Sequence, residues 1–561
     1  GVAQHGLTRT VLHRRDSESD WEEVYSGDFR TAIVPLGFGK NPDILYVAAP
    51  NGDKKALFQF DLKERKLGRM IFAHPKFDVP AGPPIVSDKT GKVLGVRYEA
   101  DRPQTYWFDK DYQEYQAIID NALPGMANDI KNWSKKEDRI LFHSHSEKTI
   151  GSYYLLDISN RKKPKLEKLL DLAEWIDPAK MSPMKSIQYT ARDGLVIHGY
   201  LTIPNGSDGK NLPLIVHPHG GPSARDYWGW NKEVQFLANR GYAVFQPNFR
   251  GSTGYGTRLY TAGFREWGGK MQNDITDGVK HLIAEGIVDA GRVGIYGASY
   301  GGYATMAGLC FTPELYRCGV NYVGVTDIDL ILKEYPLPKK INDAIDAVMI
   351  ADRSKDKDWI KSRSIQNNID KVRAPVLMAY GMKDWRVPPK HGRILKRALD
   401  RNNIPNKLII KANEGHGYRN EDNVFEFFRE VDAFHATMTS FEFYSLVSDV
   451  AEILSDTLVD HQVLMSYAGN GTFVCVTESG WRPNMGGLMD AVNFELSQTE
   501  LFDNNGERVH PRVSAGEAVR LIWKSGNSVM DALAQAHASA EAASEAHTKS
   551  LNDFWQNDQQ A

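Results

Sequence analysis

Three cysteines in 561 residues, Cys310, Cys318 and Cys475, are too few for a disulfide framework, and no C-x-x-C pair offers a zinc or redox centre. Stability must come from packing. No apolar run approaches the roughly 18 residues of a membrane span, and the start, Gly1-Val-Ala-Gln-His5, has no basic segment leading into an apolar one. Because the chain opens on Gly1 and not on methionine, the compartment stays open. Charge of one sign is lacking too: 68 Lys and Arg against 71 Asp and Glu leave a net −3, which supplies no attraction for nucleic acid or for an anionic membrane surface. A small or peptide-like substrate is the easier partner. The glycine-rich stretch Asn248-Phe-Arg-Gly-Ser-Thr-Gly-Tyr-Gly256 lacks the G-K-[ST] ending of a phosphate loop.

What is present is organised by texture. Residues 1–24 are polar and mixed in charge and read as a loose lead-in. Over 25–180, short apolar runs alternate with turn signals: Ile44–Ala48, Ala56–Phe60, Val93–Tyr98, Thr105–Phe108, Arg139–His143 and Ser152–Leu156. Three times a polar turn, a strand and a second strand ending in Asp61, Asp109 or Asp157 recur, at the spacing of about 45 residues expected of propeller blades. Three to four blades are fewer than a closed ring takes comfortably, since rings have about four to eight, so this region is read as an incomplete β-propeller, with an irregular sandwich as the alternative. A linker holding Pro178 and Pro183 leads into 185–438. There, nearly continuous apolar strands alternate with helical segments near 231–240, 271–286, 300–312, 390–402 and 421–437. That rhythm predicts an α/β fold, a mostly parallel sheet covered by helices on both faces, with its functional loops at the carboxyl ends of the strands. The segment 439–561 carries no assignable chemistry. Its tail, 527–556, reads as a surface or packing helix, with homo-oligomer formation as the other role considered.

One stretch organises the rest. Val293-Gly-Ile-Tyr-Gly-Ala-Ser-Tyr-Gly-Gly-Tyr303 reads as a buried strand, a forced turn and a helix, with Ser299 flanked by Gly297 and Gly301 in the G-x-S-x-G pattern of a nucleophile elbow. A serine hydroxyl needs a base, and the base needs a carboxylate to hold its tautomer. Asp384, in Tyr380-Gly-Met-Lys-Asp-Trp-Arg-Val387, and His416, in Asn413-Glu-Gly-His-Gly-Tyr418, each follow a predicted strand, in the chain order Ser, acid, His that this layout requires. Each alone reads as a turn or loop residue; the ordered set points to a hydrolase. Donors for a developing oxyanion are also at hand. Gly221 lies in His217-Pro-His-Gly-Gly-Pro222 just after the strand 214–216, and Tyr300 follows the serine at the helix start. The pair His217 and His219 has no third ligand at helical spacing, so a structural role is favoured, and no metal or cofactor is expected.

The motifs HPHGGP (217–222), QPNFRGSTGYG (246–256), GASYGGY (297–303), GMKDWRV (381–387) and NEGHGY (413–418) resemble those of the prolyl oligopeptidase family of serine peptidases, in its acylaminoacyl-peptidase and dipeptidyl-aminopeptidase-like branch. The resemblance covers 185–438 densely, and a propeller before the hydrolase fits the family's order. It implies Ser299, Asp384 and His416 as catalytic triad, Gly221 and Tyr300 as oxyanion donors, and Arg386, in the family's D-x-R pattern, as a clamp on a substrate carbonyl. The implied activity is hydrolysis of short peptides through an acyl-enzyme, a propeller limiting access to the serine. A carboxylesterase with the same triad and a catalytically silent interaction protein are the alternatives. The paired glutamates that would clamp a free amino terminus are not evident, so dipeptidyl-peptidase specificity is not claimed.

Overall fold

Period-two alternation in the first 171 residues becomes four small antiparallel sheets. β1 (Val2–His5), β2 (Thr8–His13) and β3 (Glu22–Gly27) form the first; β4 (Val34–Phe38), β5 (Ile44–Asn51), β6 (Lys54–Asp61) and β7 (Lys66–Phe72) the second. β8 (Ile85–Val86), β9 (Val93–Glu99) and β10 (Pro103–Trp107) form the third; β11 (Ala127–Trp133), β12 (Arg139–Ser146), β13 (Thr149–Asp157) and β14 (Lys165–Asp171) the fourth. The computed structural model describes residues 1–334, 339–439, 463–468 and 472–477. Contacts divide the chain into two units, Gly1–Met438 and Thr439–Ala561. In the second, Val463–Ala468 and Thr472–Thr477 pair as an antiparallel hairpin; the helix expected over 527–556 lies outside the described residues.

Two local expectations fail in the β region. Residues 1–24 are not a loose lead-in: Val11 of β2 and Val24 of β3 are buried against Ile33, Val47 and Phe60, and the charged run 14–20 is the turn between the two strands. Polar composition hid a strand pair with only one or two apolar anchors per strand. The third sheet ends in a helix, Lys110–Ala122, where a four-stranded blade would carry its last strand. Asp109 caps it by accepting from the backbone N–H groups of Asp111 and Tyr112, and Tyr112, Tyr115 and Ile119 form its buried stripe.

The second half is an eight-stranded sheet in the order β15-β16-β18-β17-β19-β20-β21-β22. Its strands are β15 (Met184–Thr190), β16 (Val196–Thr202), β17 (Leu212–Val216), β18 (Ala243–Asn248), β19 (Val288–Ala298), β20 (Cys318–Tyr322), β21 (Val376–Gly381) and β22 (Asn406–Lys411). The six from β18 to β22 in that order run parallel, and β15 and β16 pair antiparallel at one edge. Leu214, Val216, Val293, Ile295, Val376 and Met378 feed the core on one face; Ile215, Tyr296, Val320 and Leu377 feed the other. Burial on both faces explains the continuous apolar runs, and parallel pairing puts all the following loops on one edge.

The stretch 248–256 is a buttress for that edge. Arg250 is buried and donates two hydrogen bonds to buried Asp274 (Nη2–Oδ1 2.6 Å, Nε–Oδ2 2.8 Å) and two to Asp193, from Nη1 at 2.8 Å and from the shared Nη2 at 2.9 Å. These bonds hold the Asp193 carboxyl at about 2, well below its usual value. Replacing Arg250 by alanine strands Asp274 in the core, and such uncompensated burial costs about 3–5 kcal/mol. Urea unfolding followed by tryptophan fluorescence should show a loss of that size for Arg250→Ala, and a loss under about 1 kcal/mol would refute the buttress.

Candidate active site

Ser299 sits between β19 and the helix Tyr300–Phe311 with φ 59° and ψ −119°. This is a region that non-glycine residues adopt only when surroundings force them, at a cost of about 1–3 kcal/mol. The forcing contacts are specific. The Ser299 N–H donates to the Tyr322 carbonyl (2.9 Å), and its carbonyl accepts from Tyr303 (3.1 Å). A Cβ on Gly297 would lie 2.4 Å from the Gly301 oxygen, and one on Gly301 would lie 2.2 Å from the Pro218 oxygen. Both flanking glycines are therefore sterically required, the second because the 217–222 loop rests on it.

That loop lies against the serine: a Cβ on Gly220 would be 3.4 Å from the Ser299 Cβ. Gly221 holds φ +123°, in the range that favours glycine, and precedes a cis proline. Tyr300 opens its helix, where the first N–H groups have no partner within the helix. The two histidines of the loop are engaged elsewhere. His217 Nδ1 is 2.8 Å from the Tyr296 carbonyl, while His219 is buried, stacked on Phe249 at 4.4 Å and bonded through Nε2 to Ser252 Oγ at 2.9 Å.

Asp384 and His416 come from the loops after β21 and β22 and meet: Nδ1 of His416 is 2.7 Å from Oδ2 of Asp384. The other oxygen of Asp384 accepts from the backbone N–H groups of Arg386 (2.8 Å) and Val387 (2.9 Å), so the carboxylate, fully buried, is fixed on both sides. An imidazole oriented in this way keeps Nε2 for other work. Arg386 itself is exposed, its guanidinium 5.3 Å from the Trp385 ring centroid, and it makes no ion pair among the described residues.

Sequence reasoning missed three supports. Tyr322, at the end of β20, holds the Ser299 N–H with its carbonyl and accepts the Tyr418 N–H with its hydroxyl, tying the serine corner to the histidine loop. Buried Glu414 accepts from the N–H groups of Arg419 and Asn420 (2.9 Å each) and from the Asn423 amide (2.7 Å), and its carbonyl accepts from the Lys383 N–H. Gly381 is needed where the two loops cross, since its Cβ would lie 2.3 Å from the Gly415 oxygen. A glutamate two positions before the histidine was a usable signal; nothing local in the sequence marked Tyr322.

The β region meets this edge directly. Lys54 Nζ donates to the Tyr255 carbonyl (2.7 Å), the Arg258 N–H to Asp53 (2.7 Å), and the Gln235 amide to the Glu147 carbonyl (2.9 Å).

Residues 228–441 match the profile of the prolyl oligopeptidase family. The chain is 31% identical over 436 residues to dipeptidyl aminopeptidase BIII of Pseudoxanthomonas mexicana, covering 73% of this chain and 60% of that protein. It is 27% identical over 456 residues to dipeptidyl peptidase family member 6 of Caenorhabditis elegans, covering 75% and 60%. The chain thus spans about 60% of the length of these relatives. Among solved structures, a Mycobacterium tuberculosis puromycin-hydrolyzing peptidase superposes with a TM-score of 0.62 at 21% identity over 77% of this chain and 65% of that one, a likeness of fold.

The Glu414 carboxyl is pushed up by burial but pulled further down by the Asn423 amide and the two N–H groups, ending below its ordinary value of 4.5. A carboxyl depressed in the folded state stabilises fully above its unfolded value and loses that contribution as pH falls through the folded one. Glu414→Gln, which sets an amide NH2 against donors, should cost about 1–3 kcal/mol at neutral pH. Chemical denaturation at several pH values should show the gap to the wild type narrowing below about pH 4.5, and a gap that widens in acid would contradict this account.

Proposed function

We infer, from the premise that residues 228–441 belong to the prolyl oligopeptidase family, that this chain is a serine peptidase that hydrolyses short peptides through an acyl-enzyme on Ser299. The observation that carries the reading is the 2.7 Å bond between His416 and Asp384 on the loops that share an edge with the strained Ser299 corner. Asp384 holds Nδ1–H, so Nε2 of His416 is the base that takes the Ser299 proton as Oγ attacks the peptide carbonyl. The carbonyl oxygen gains charge and is met by the N–H groups of Gly221 and Tyr300, the latter at a helix N-terminus. His416 then returns its proton to the leaving amine, the C–N bond breaks, and water repeats the sequence to free the acid and Ser299. Asp384, bonded on both oxygens, keeps the ring oriented and steadies the imidazolium.

Arg386 is assigned to the carbonyl of a substrate residue ahead of the scissile bond. Its exposed guanidinium beside the triad, with no carboxylate on it among the described residues, supports that role. The β region is assigned the role of limiting access to short peptides, which its bonds to Tyr255, Arg258 and Gln235 support by holding it against the hydrolase domain.

A fluorophosphonate probe should label the wild type and leave Ser299→Ala unlabelled; absent or equal labelling of the two would dismiss the enzyme. Asp384→Asn should slow labelling by about 10^3- to 10^4-fold, because the histidine then holds the wrong tautomer. Arg386→Ala should weaken hydrolysis of peptides by about tenfold or more while sparing p-nitrophenyl esters. An equal effect on both substrates would reject the clamp, and turnover of esters alone would make the protein a carboxylesterase.

A further inference from the structure

Antiparallel pairing places Asp129 of β11 directly opposite His143 of β12, and His145 is two residues along the same strand, so the three side chains leave one face of the fourth sheet together. The opposite face carries Ile130, Ile140 and Phe142 into the core. One ligand atom from each of the three lies within 4.8 Å of the others. His145 Nε2 is 3.4 Å from Asp129 Oδ2, and the two imidazoles stack with centroids 4.9 Å apart at 15°. The proposed reaction uses none of them.

We propose that Asp129, His143 and His145 form a binding site for a divalent d-block cation such as Zn2+, on the wall of the β region that faces the hydrolase domain. The donor set, two imidazoles and a carboxylate, is one that zinc sites use, with the fourth position open to water. His143 already has the outer partner such a ligand needs: Nε2 is 3.0 Å from the Ile150 carbonyl, so Nε2–H donates there and Nδ1 keeps its lone pair for a metal. Tyr153, stacked at 5.1 Å, holds the ring in place. Ligand atoms around zinc at about 2.1 Å are about 3.4 Å apart, so closing from the observed spacing takes about 1 Å of side-chain rotation on rigid strands.

The site faces Trp228, whose ring centroid is 6.3 Å from that of His145 and which lies on the loop that also carries Gly221. Lys131 is the competitor. Its Nζ is 3.0 Å from Asp129 Oδ2 and the side chain is partly exposed, so a cation displaces it into solvent. Lys131 therefore supplies a test whose sign a folding defect cannot mimic.

Zn2+ alone, titrated calorimetrically into the full chain and its stoichiometry checked by elemental analysis, should bind at this site. His143→Ala and His145→Gln should each weaken that binding by at least about tenfold. Lys131→Ala should tighten it by about fivefold, the scale of one unit-charge repulsion in water. Unchanged affinity in both histidine variants would overturn the site, and so would a Lys131→Ala variant that binds no more tightly than the wild type. Thermal melts of each variant separate loss of fold from loss of ligand.

Discussion

The positive φ of Ser299 is the constraint on which the rest of the edge depends. A serine stays in that conformation only if the surrounding backbone leaves no alternative, and here the surroundings are other main chains at the limit of contact. Gly297 and Gly301 touch each other, Gly301 touches Pro218, and Gly302 touches Gly324, whose Cα would be 2.6 Å from a Cβ at 302. The glycines are therefore placed by the need for several backbones to converge on one corner. The corner is also tied into the neighbouring strand, because the Ser299 N–H is the next rung after the β19–β20 pairing.

Convergence also explains how loops far apart in sequence keep a fixed geometry. Tyr322 reaches from the serine corner to Tyr418, and Lys383 and Glu414 join the aspartate and histidine loops through a backbone bond of 2.8 Å. Asp384 uses one oxygen for its own turn and the other for His416. Each loop thus carries one group for the proposed chemistry and another spent on its neighbour. The Arg250 cluster performs the same service behind the 217–222 loop, where Ser252 holds His219.

The hydrolase half was legible because its strands are buried on both faces. Continuous runs such as Val376–Tyr380 declare themselves without any periodicity, and once they are placed the polar clusters after them fall on one edge. The β region was legible only where strands carried several apolar residues. β2 and β3, each with one fully buried residue, were hidden by polar neighbours, and the helix Lys110–Ala122 was overlooked because Asp109 was read as a strand end and not as a cap. Residues that position others, such as Tyr322, were illegible for a further reason: their role lies in contacts between segments nearly a hundred residues apart, which no local pattern encodes.

Arg225 connects the site to the β region. Four residues after Gly221, it donates to the carbonyls of Glu99 and Ala100 at 3.4 Å each, to the hydroxyl of Tyr255 at 2.7 Å and to that of Tyr200 at 3.2 Å, with its guanidinium 4.2 Å from the Tyr255 ring centroid. A buried guanidinium has five N–H donors to satisfy, and two of its acceptors belong to the third sheet of the β region. The chain after Gly221 is held from the hydrolase side as well, where the Thr253 N–H donates to the Ala224 carbonyl at 2.9 Å and the Asp226 N–H donates to Asn248 at 2.7 Å. The β region thus supplies two of the acceptors that fix Arg225, and so forms part of the scaffold around the segment that follows Gly221.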